Sequence, residues 1–212
     1  MYVIDGEFRM SAKRGYVICL EGIDGSGKDT QLKLLTRYLL STGIQVEIFN
    51  FPEYDGPLGS CIKSALSDPD FNPYALQLLF SAERLRQMPS LERSVSDGKV
   101  VVTNRYRWSS YVYAVARGLP REWAENLETP LPEPDLTLLL DLDIETSIRR
   151  TGGSDVIERN LLVLERCRQE YLNISRNQEK WKIVDASQEQ NIITNLLRIE
   201  VLHIIEGKNE SV

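Results

Sequence analysis

Residues 21–31, EGIDGSGKDTQ, carry the clearest chemistry in the chain. Gly22, Gly27 and Lys28 fit the spacing G-x-x-x-x-G-K, after an apolar run at 16–20 and before a helical pattern at 32–40. A glycine-rich turn between a buried strand and a helix start aims several backbone N–H groups at one point, at the positive end of the helix dipole, and that geometry holds phosphate. The lysine neutralises β/γ-phosphate oxygens while the glycines let the backbone close around them. Gly25 and Ser26 complete the loop. The motif then departs from its pattern. Its last position takes a Ser or Thr hydroxyl to ligate Mg²⁺, and Asp29 stands there. A carboxylate binds Mg²⁺ more strongly than a hydroxyl, or repels phosphates if no metal intervenes. Thr30 offers a hydroxyl one residue late, a rotation of about 100° around the helix.

Other stretches supply partners for a phosphorylated ligand. The buried-strand pattern at 99–103 opens into NRYRWSSYVY at 104–113, where Arg105, at a strand end, is placed to meet an anion. Phe80 and Arg84 are four apart in a helical pattern at 74–88 and share a face, a stacking surface beside a cationic donor. Pattern alone places Phe80 in the core and leaves Arg84 and Arg86 solvated. FPEYDGPLG at 51–59 is irregular loop chemistry at the carboxyl end of a strand, where a parallel sheet has its ligand crevice. The polar stretch at 151–155, flanked by Arg149, Arg150 and Arg159, reads as a lid over phosphates or as a solvated loop.

Positioning these groups requires a sheet. Strand patterns at 16–20, 45–50, 99–103, 136–143 and 181–185 alternate with helical ones at 32–40, 61–66, 74–88 continuing at 91–96, through Ala116 to an end at Gly118, from 120–123 onward, at 160–177 and at 189–205, with a helical turn at 145–150. Such alternation predicts a five-stranded parallel sheet covered on both faces by helices. The chain has 212 residues, 42% of them hydrophobic, with no repeat, no second-domain linker and no run long enough to span a bilayer. The expected division is an extension at 1–10 without signal-peptide architecture, one soluble domain at 11–206 with a lid around 149–159, and a disordered tail at 207–212. A net charge of −6 argues against a general nucleic-acid binder. Cys19, Cys61 and Cys167 form neither a disulfide framework nor a metal pattern and are expected as small buried residues in a reducing cytoplasm. The single histidine, His203, is expected as a packed helical position.

EGIDGSGKDTQ, FPEYDGPLG, LLFSAERLRQ at 78–87, NRYRWSSYVY, LPEPDLTLLLDLD at 131–143 and WKIVDAS at 181–187 together resemble the thymidylate kinase family, P-loop enzymes that phosphorylate dTMP to dTDP. The resemblance implies a three-layer P-loop NTPase-type α/β fold, ATP as donor with Mg²⁺, and a homodimer. It implies ATP contacts at Gly22, Gly25, Ser26, Gly27, Lys28, Asp29 and Thr30, with Arg150 packing on the adenine. For dTMP it implies Phe80 stacked on thymine, Arg84 donating to a base carbonyl, Arg105 holding the monophosphate and Tyr113 under the deoxyribose. Phe51, Pro52, Glu53, Tyr54 and Ser109 line the acceptor pocket, and Asp24 lies near the sugar. Lys28, Arg105, Asp24 and the lid arginines Arg149 and Arg159 are the implied catalytic set.

Three positions depart from the family: Asp29 in place of Ser or Thr, Asn104 in place of the Asp of D-R-Y, and Val156 in place of a common lid arginine. A carboxylate is gained at one metal-linked position and lost at the other. Asp29 and Asn104 are therefore the expected metal-site residues, with Asp29 supplying the carboxylate that Asn104 lacks. Two rivals remain: a deoxynucleoside kinase, whose acceptor is a hydroxyl, and a P-loop regulatory protein that binds nucleotide without transfer.

Overall fold

The β-branched and leucine-rich runs form five parallel strands: β1 (Tyr16–Glu21), β2 (Val46–Asn50), β3 (Val100–Asn104), β4 (Leu136–Asp141) and β5 (Trp181–Asp185). They lie in the order β2-β3-β1-β4-β5 in a computed structural model that describes residues 14–152, 161–176 and 178–207. From central β1 the chain runs outward to β2, returns through β3, and crosses to β4 on the far side. Such a reversal opens a crevice at the carboxyl ends of the strands. The register pairs Leu20 with Asn104, and Arg105 N–H donates to Leu20 C=O at 2.8 Å. The glycine turn and the Arg105 turn therefore leave the sheet side by side.

The described helices are α1 (Lys28–Ser41), α2 (Gly59–Ser67), α3 (Pro73–Ser96), α4 (Arg107–Ala116), α5 (Arg121–Glu128), α6 (Ile144–Thr151), α7 (Leu161–Ser175) and α8 (Gln190–Gly207). The two-residue period of the strands sends Ile18, Leu20, Leu138 and Leu140 to the face packed by Leu35 and Leu39 of α1 and Leu197 and Val201 of α8. Val17, Cys19 and Val101 point the other way, onto Met88, Leu91 and Val95 of α3. On that side Leu139 also meets Val112 of α4 and Cys167 and Tyr171 of α7. The result is the three-layer α/β arrangement of the P-loop NTPase type. Among the described residues no helix is long and apolar enough to cross a membrane.

Several expectations change. The helical pattern at 74–88 does continue at 91–96, in one helix that runs through Pro89, but in the first half of that helix the buried side is largely polar where an amphipathic helix would be oily. Gln77, Ser81, Glu83 and Arg84 are buried, whereas Leu78, Ala82 and Leu85 are exposed. The turn at 145–150 is a full helix, capped by Asp143 accepting from Thr146 N–H at 2.8 Å. His203 is exposed: Leu197 and Val201 set the buried side of α8, and a position two residues on lies about 200° away. Cys61 is exposed, unlike Cys19 and Cys167. Gly207 closes α8, and the extension at 1–10 lies outside the described residues.

Glu21, at the end of β1, is wholly buried. Oε1 accepts from Tyr106 N–H at 2.9 Å and Ser109 N–H at 3.1 Å, while Oε2 accepts from Ser109 Oγ at 2.6 Å and Tyr171 Oη at 2.8 Å. One carboxylate thus ties the central strand to the start of α4 and to α7. Backbone N–H groups can only donate, but hydroxyls can reverse. Glu21→Leu orphans two buried backbone donors and is expected to cost about 3–5 kcal/mol, whereas Glu21→Gln keeps Oε1 and lets both hydroxyls accept, costing less than half as much. Urea unfolding of the two variants checks the ranking, and equal losses would contradict it.

Candidate active site

Gly22 sits at φ 141°, where an added Cβ would lie 2.6 Å from Leu140 C=O, so only glycine fits. Gly27, at φ 89°, precedes α1, which begins at Lys28 with no side-chain cap. The first-turn amides of α1 are therefore left for an anion. The Lys28 ammonium is buried and donates to Gly22 C=O at 3.0 Å, Ile23 C=O at 2.7 Å and Ser26 Oγ at 3.3 Å. Burial, and secondly the Arg105 charge, pull its pKa down to about 7, with Asp24, Glu21 and Asp29 partly opposing.

Arg105 adopts φ 64°, a left-handed conformation that is uncommon without glycine and concentrates at functional sites. Its guanidinium donates to Asp24 Oδ1 at 2.5 Å, Gly22 C=O at 3.3 Å, Ser109 Oγ at 3.2 Å and Tyr113 Oη at 3.4 Å, and lies 5.2 Å from the centre of the Tyr113 ring. Partial loss of water around the exposed Asp24 carboxyl would raise its pKa, but Arg105 and Lys28 outweigh this and hold it below its ordinary value.

Two cavities meet at this pair. One, of about 180 Å³, is lined by the predicted Phe80, Arg84, Ser109 and Tyr113. The other, of about 580 Å³, is lined by Gly25, Gly27, Lys28, Asp29, Glu53 and Asn104. Asp24, Phe51, Pro52, Tyr54 and Arg105 line both. Phe51 packs against Phe49 and Tyr106, with centroids 6.3 and 5.6 Å away, and Arg86 donates to Glu53 at 2.5 Å. Phe80 is partly buried on the smaller cavity, as a stacking ring requires.

Arg84 is not solvated. Its Nε and Nη2 pair with Glu128 at 3.2 and 3.1 Å, both side chains are 2% exposed, and Nη2 also donates to Ser110 Oγ. Glu128 escaped the sequence reading because nothing in the spacing of α5 links it to α3. Ser110 and Gln77 escaped it too, although Ser110 lies inside the 104–113 stretch and Gln77 precedes Phe80 by three residues, which is helical-face spacing.

The other predicted residues are dispersed. Arg150 bridges Ala186 C=O at 3.0 Å and Gly25 C=O at 3.4 Å, beside the loop. Arg149 is exposed, donates to Thr146 Oγ1 at 3.0 Å and lines neither cavity, and Thr30 is exposed on α1. Arg159 and Val156 lie outside the described residues.

The family model described as Thymidylate kinase matches residues 20–197. The chain belongs to the thymidylate kinase family. A probable thymidylate kinase of Pyrococcus abyssi (strain GE5 / Orsay) is 37% identical over 187 residues, 82% of this chain and 89% of the relative. The thymidylate kinase of Homo sapiens is 31% identical over 193 residues, 90% of this chain and 91% of the relative. That of Arabidopsis thaliana is 30% identical over 198 residues, 93% and 74% respectively. Family and fold make the chain a nucleotide-binding phosphotransferase of the thymidylate kinase type.

Two departures from the usual thymidylate kinase pattern are in direct contact. Asn104 Nδ2 donates to Asp29 Oδ1 at 2.6 Å and lies 3.4 Å from Asn50 Oδ1. Because a carboxylate accepts, the amide nitrogen must face Asp29, and this leaves Asn104 Oδ1 buried without a partner among the described residues. The Asp29 carboxylate and the Asn50 amide oxygen, both lying against the Asn104 amide nitrogen, are hard donors of the kind a Mg²⁺ ion takes alongside water and phosphate, whereas the Asn104 oxygen is buried. Among the described residues no three acidic, His or Cys side chains form a metal cage.

Asn104→Asp would set two carboxylates against each other. It is expected to lower the melting temperature of the metal-free protein by about 2–4 °C per kcal/mol of repulsion, with Asp29→Thr restoring it in the double variant. Calorimetric melting of the single and double variants decides, and simple additivity would refute the coupling. Phosphate binding has its own signature at Lys28. A nearby anion raises the lysine pKa from about 7, so affinity should fall as pH rises through the window above 7, with proton uptake approaching one near pH 8. Titrating ATP by calorimetry in buffers of different ionisation enthalpy measures this uptake, which Lys28→Met should abolish.

Proposed function

We propose that the chain transfers the γ-phosphoryl group of ATP to dTMP, giving dTDP for deoxynucleotide (dTTP) synthesis. The observation that carries this reading is the meeting of the two cavities at Arg105 and Asp24: a phosphate on the glycine loop and a phosphate on Arg105 would face each other across their shared wall. Phosphoryl transfer asks mainly for positioning and charge neutralisation, and these groups supply both.

In this reading ATP lies over the loop of Gly22, Gly25, Ser26 and Gly27 with its adenine toward Arg150. Its phosphates take Lys28 away from the loop carbonyls. The dTMP base stacks on Phe80 with Arg84 on a carbonyl, the deoxyribose packs on Tyr113, and Arg105 holds the acceptor phosphate. Asp29 and Asn50, both lying against the Asn104 amide nitrogen, would hold Mg²⁺, which neutralises charge on the phosphate oxygens. Arg149 and Arg159 remain the candidates for charge on the transferring group. The family also supports a homodimeric, cytoplasmic enzyme.

A hydroxyl acceptor needs a general base, whereas a phosphate acceptor needs a cation, and Arg105 is the cation at the junction. An ADP-release screen over nucleoside monophosphates and thymidine, with and without Mg²⁺, is expected to give turnover with dTMP, none with thymidine, and a loss on the order of 10³ for Arg105→Met. Turnover of thymidine would favour a deoxynucleoside kinase. Nucleotide binding without ADP release from any acceptor would favour a regulatory protein.

A further inference from the structure

Gln77 lies three residues before Phe80 and seven before Arg84 on α3, a spacing that puts all three on one helical face, and all three line the smaller cavity. Its side chain is 0% exposed, and neither Nε2 nor Oε1 has a hydrogen-bond partner among the described residues. Buried carboxamides are nearly always paired, so one left unpaired on a residue of a cavity wall has both a donor and an acceptor to give to a group that enters the cavity. The neighbouring polar groups are already engaged: Arg84 holds Glu128 and Ser110. No hydrogen bond is formed by Arg84 Nη1 among the described residues, so a donor-only group and a donor–acceptor group with spare capacity belong to two residues that line the same cavity.

We propose that Gln77 determines base specificity in the acceptor pocket, its carboxamide pairing with the N3–H and the 2-carbonyl of a 2,4-dioxopyrimidine while Arg84 donates to the 4-carbonyl. The assignment rests on the acceptor reading above. An amide makes two antiparallel bonds in one plane, Oε1 accepting the imide N–H and Nε2 donating to the adjacent oxygen. A 4-amino pyrimidine would turn N–H donors onto Arg84, which has no acceptor to offer. Arg84 therefore excludes cytosine, and Gln77 supplies affinity for thymine and uracil.

The test is calorimetric binding of dTMP and of 3-deaza-dTMP, in which C–H replaces N3–H, to the wild type and to Gln77→Leu. The wild type is expected to prefer dTMP by about 10–100-fold, and Gln77→Leu to lose both that affinity and that preference while binding ATP unchanged. The ligand-free variant should melt higher by about 2–4 °C, because hydrocarbon replaces an unpaired buried amide. A variant that binds dTMP as tightly as the wild type, or keeps the preference over the deaza analogue, overturns the assignment. A wild type that binds ATP but no dTMP overturns the acceptor reading beneath it.

Discussion

The geometry of the site depends on one buried carboxylate. Glu21 ends the central strand and accepts four hydrogen bonds from the start of α4 and from α7. Between its acceptor oxygen and the Leu20 carbonyl, the backbone on either side of Arg105 is pinned: Arg105 N–H goes to Leu20 and Tyr106 N–H to Glu21. A non-glycine residue at φ 64° persists only where its surroundings over-determine it. Here both flanking amides are committed to the strand that also launches the glycine loop. The distance between the glycine loop and Arg105 is therefore inherited from sheet register rather than from loop conformation.

Two arginine–carboxylate pairs near this junction have opposite characters. Arg84 and Glu128 are both 2% exposed, and separating them would strand a charge in the interior. That pair is permanent scaffolding, and it fixes which nitrogens Arg84 can still offer. In the Arg105–Asp24 pair the carboxylate side chain is 63% exposed, so water can take over from the guanidinium at small cost. Lys28 is similarly provisional, donating to the carbonyls of its own loop. Lys28 and Arg105 are thus held by partners that an anion could replace, in a chain whose net charge of −6 gives no general attraction for polyanions.

The fold was legible because its signals are periodic and local. Strand runs such as VVVT at 100–103 and the glycine positions at 22 and 27 state their conformation directly. The phosphate loop and Arg105 were legible for the same reason, each lying next to a strand end. Residues whose roles depend on distant partners were not. Glu128 reaches Arg84 across 44 positions, and Glu21 reaches Tyr171 across 150. In the first half of α3 polarity misled: Arg84 reads as solvated but is enclosed with Gln77 beside the smaller cavity, while Leu78 and Leu85 are exposed. His203 misled in the simpler way that neighbours in sequence are not neighbours on a helix, and Cys61 because residue type alone does not set burial.

The failures of pattern on α3 and at Asp29 have a common cause. A sequence agrees with itself at every level where only folding is at stake, and breaks a local rule where a ligand supplies the missing partner. Gln77 and Asn104 each leave a buried amide oxygen without a bond, one on each cavity, and both lie on rigid elements rather than loops. Asp29 breaks the hydroxyl rule of its motif, yet the residue it touches is the one that has shed a carboxylate, so the pair carries a single negative charge. A carboxylate moved from the strand end to the first turn of α1 approaches the positive end of the helix dipole, where an anion is stabilised without a cation beside it. The exchange thus keeps the charge of the site while shifting it toward the glycine loop, onto the side of the cleft that would hold the donor phosphates.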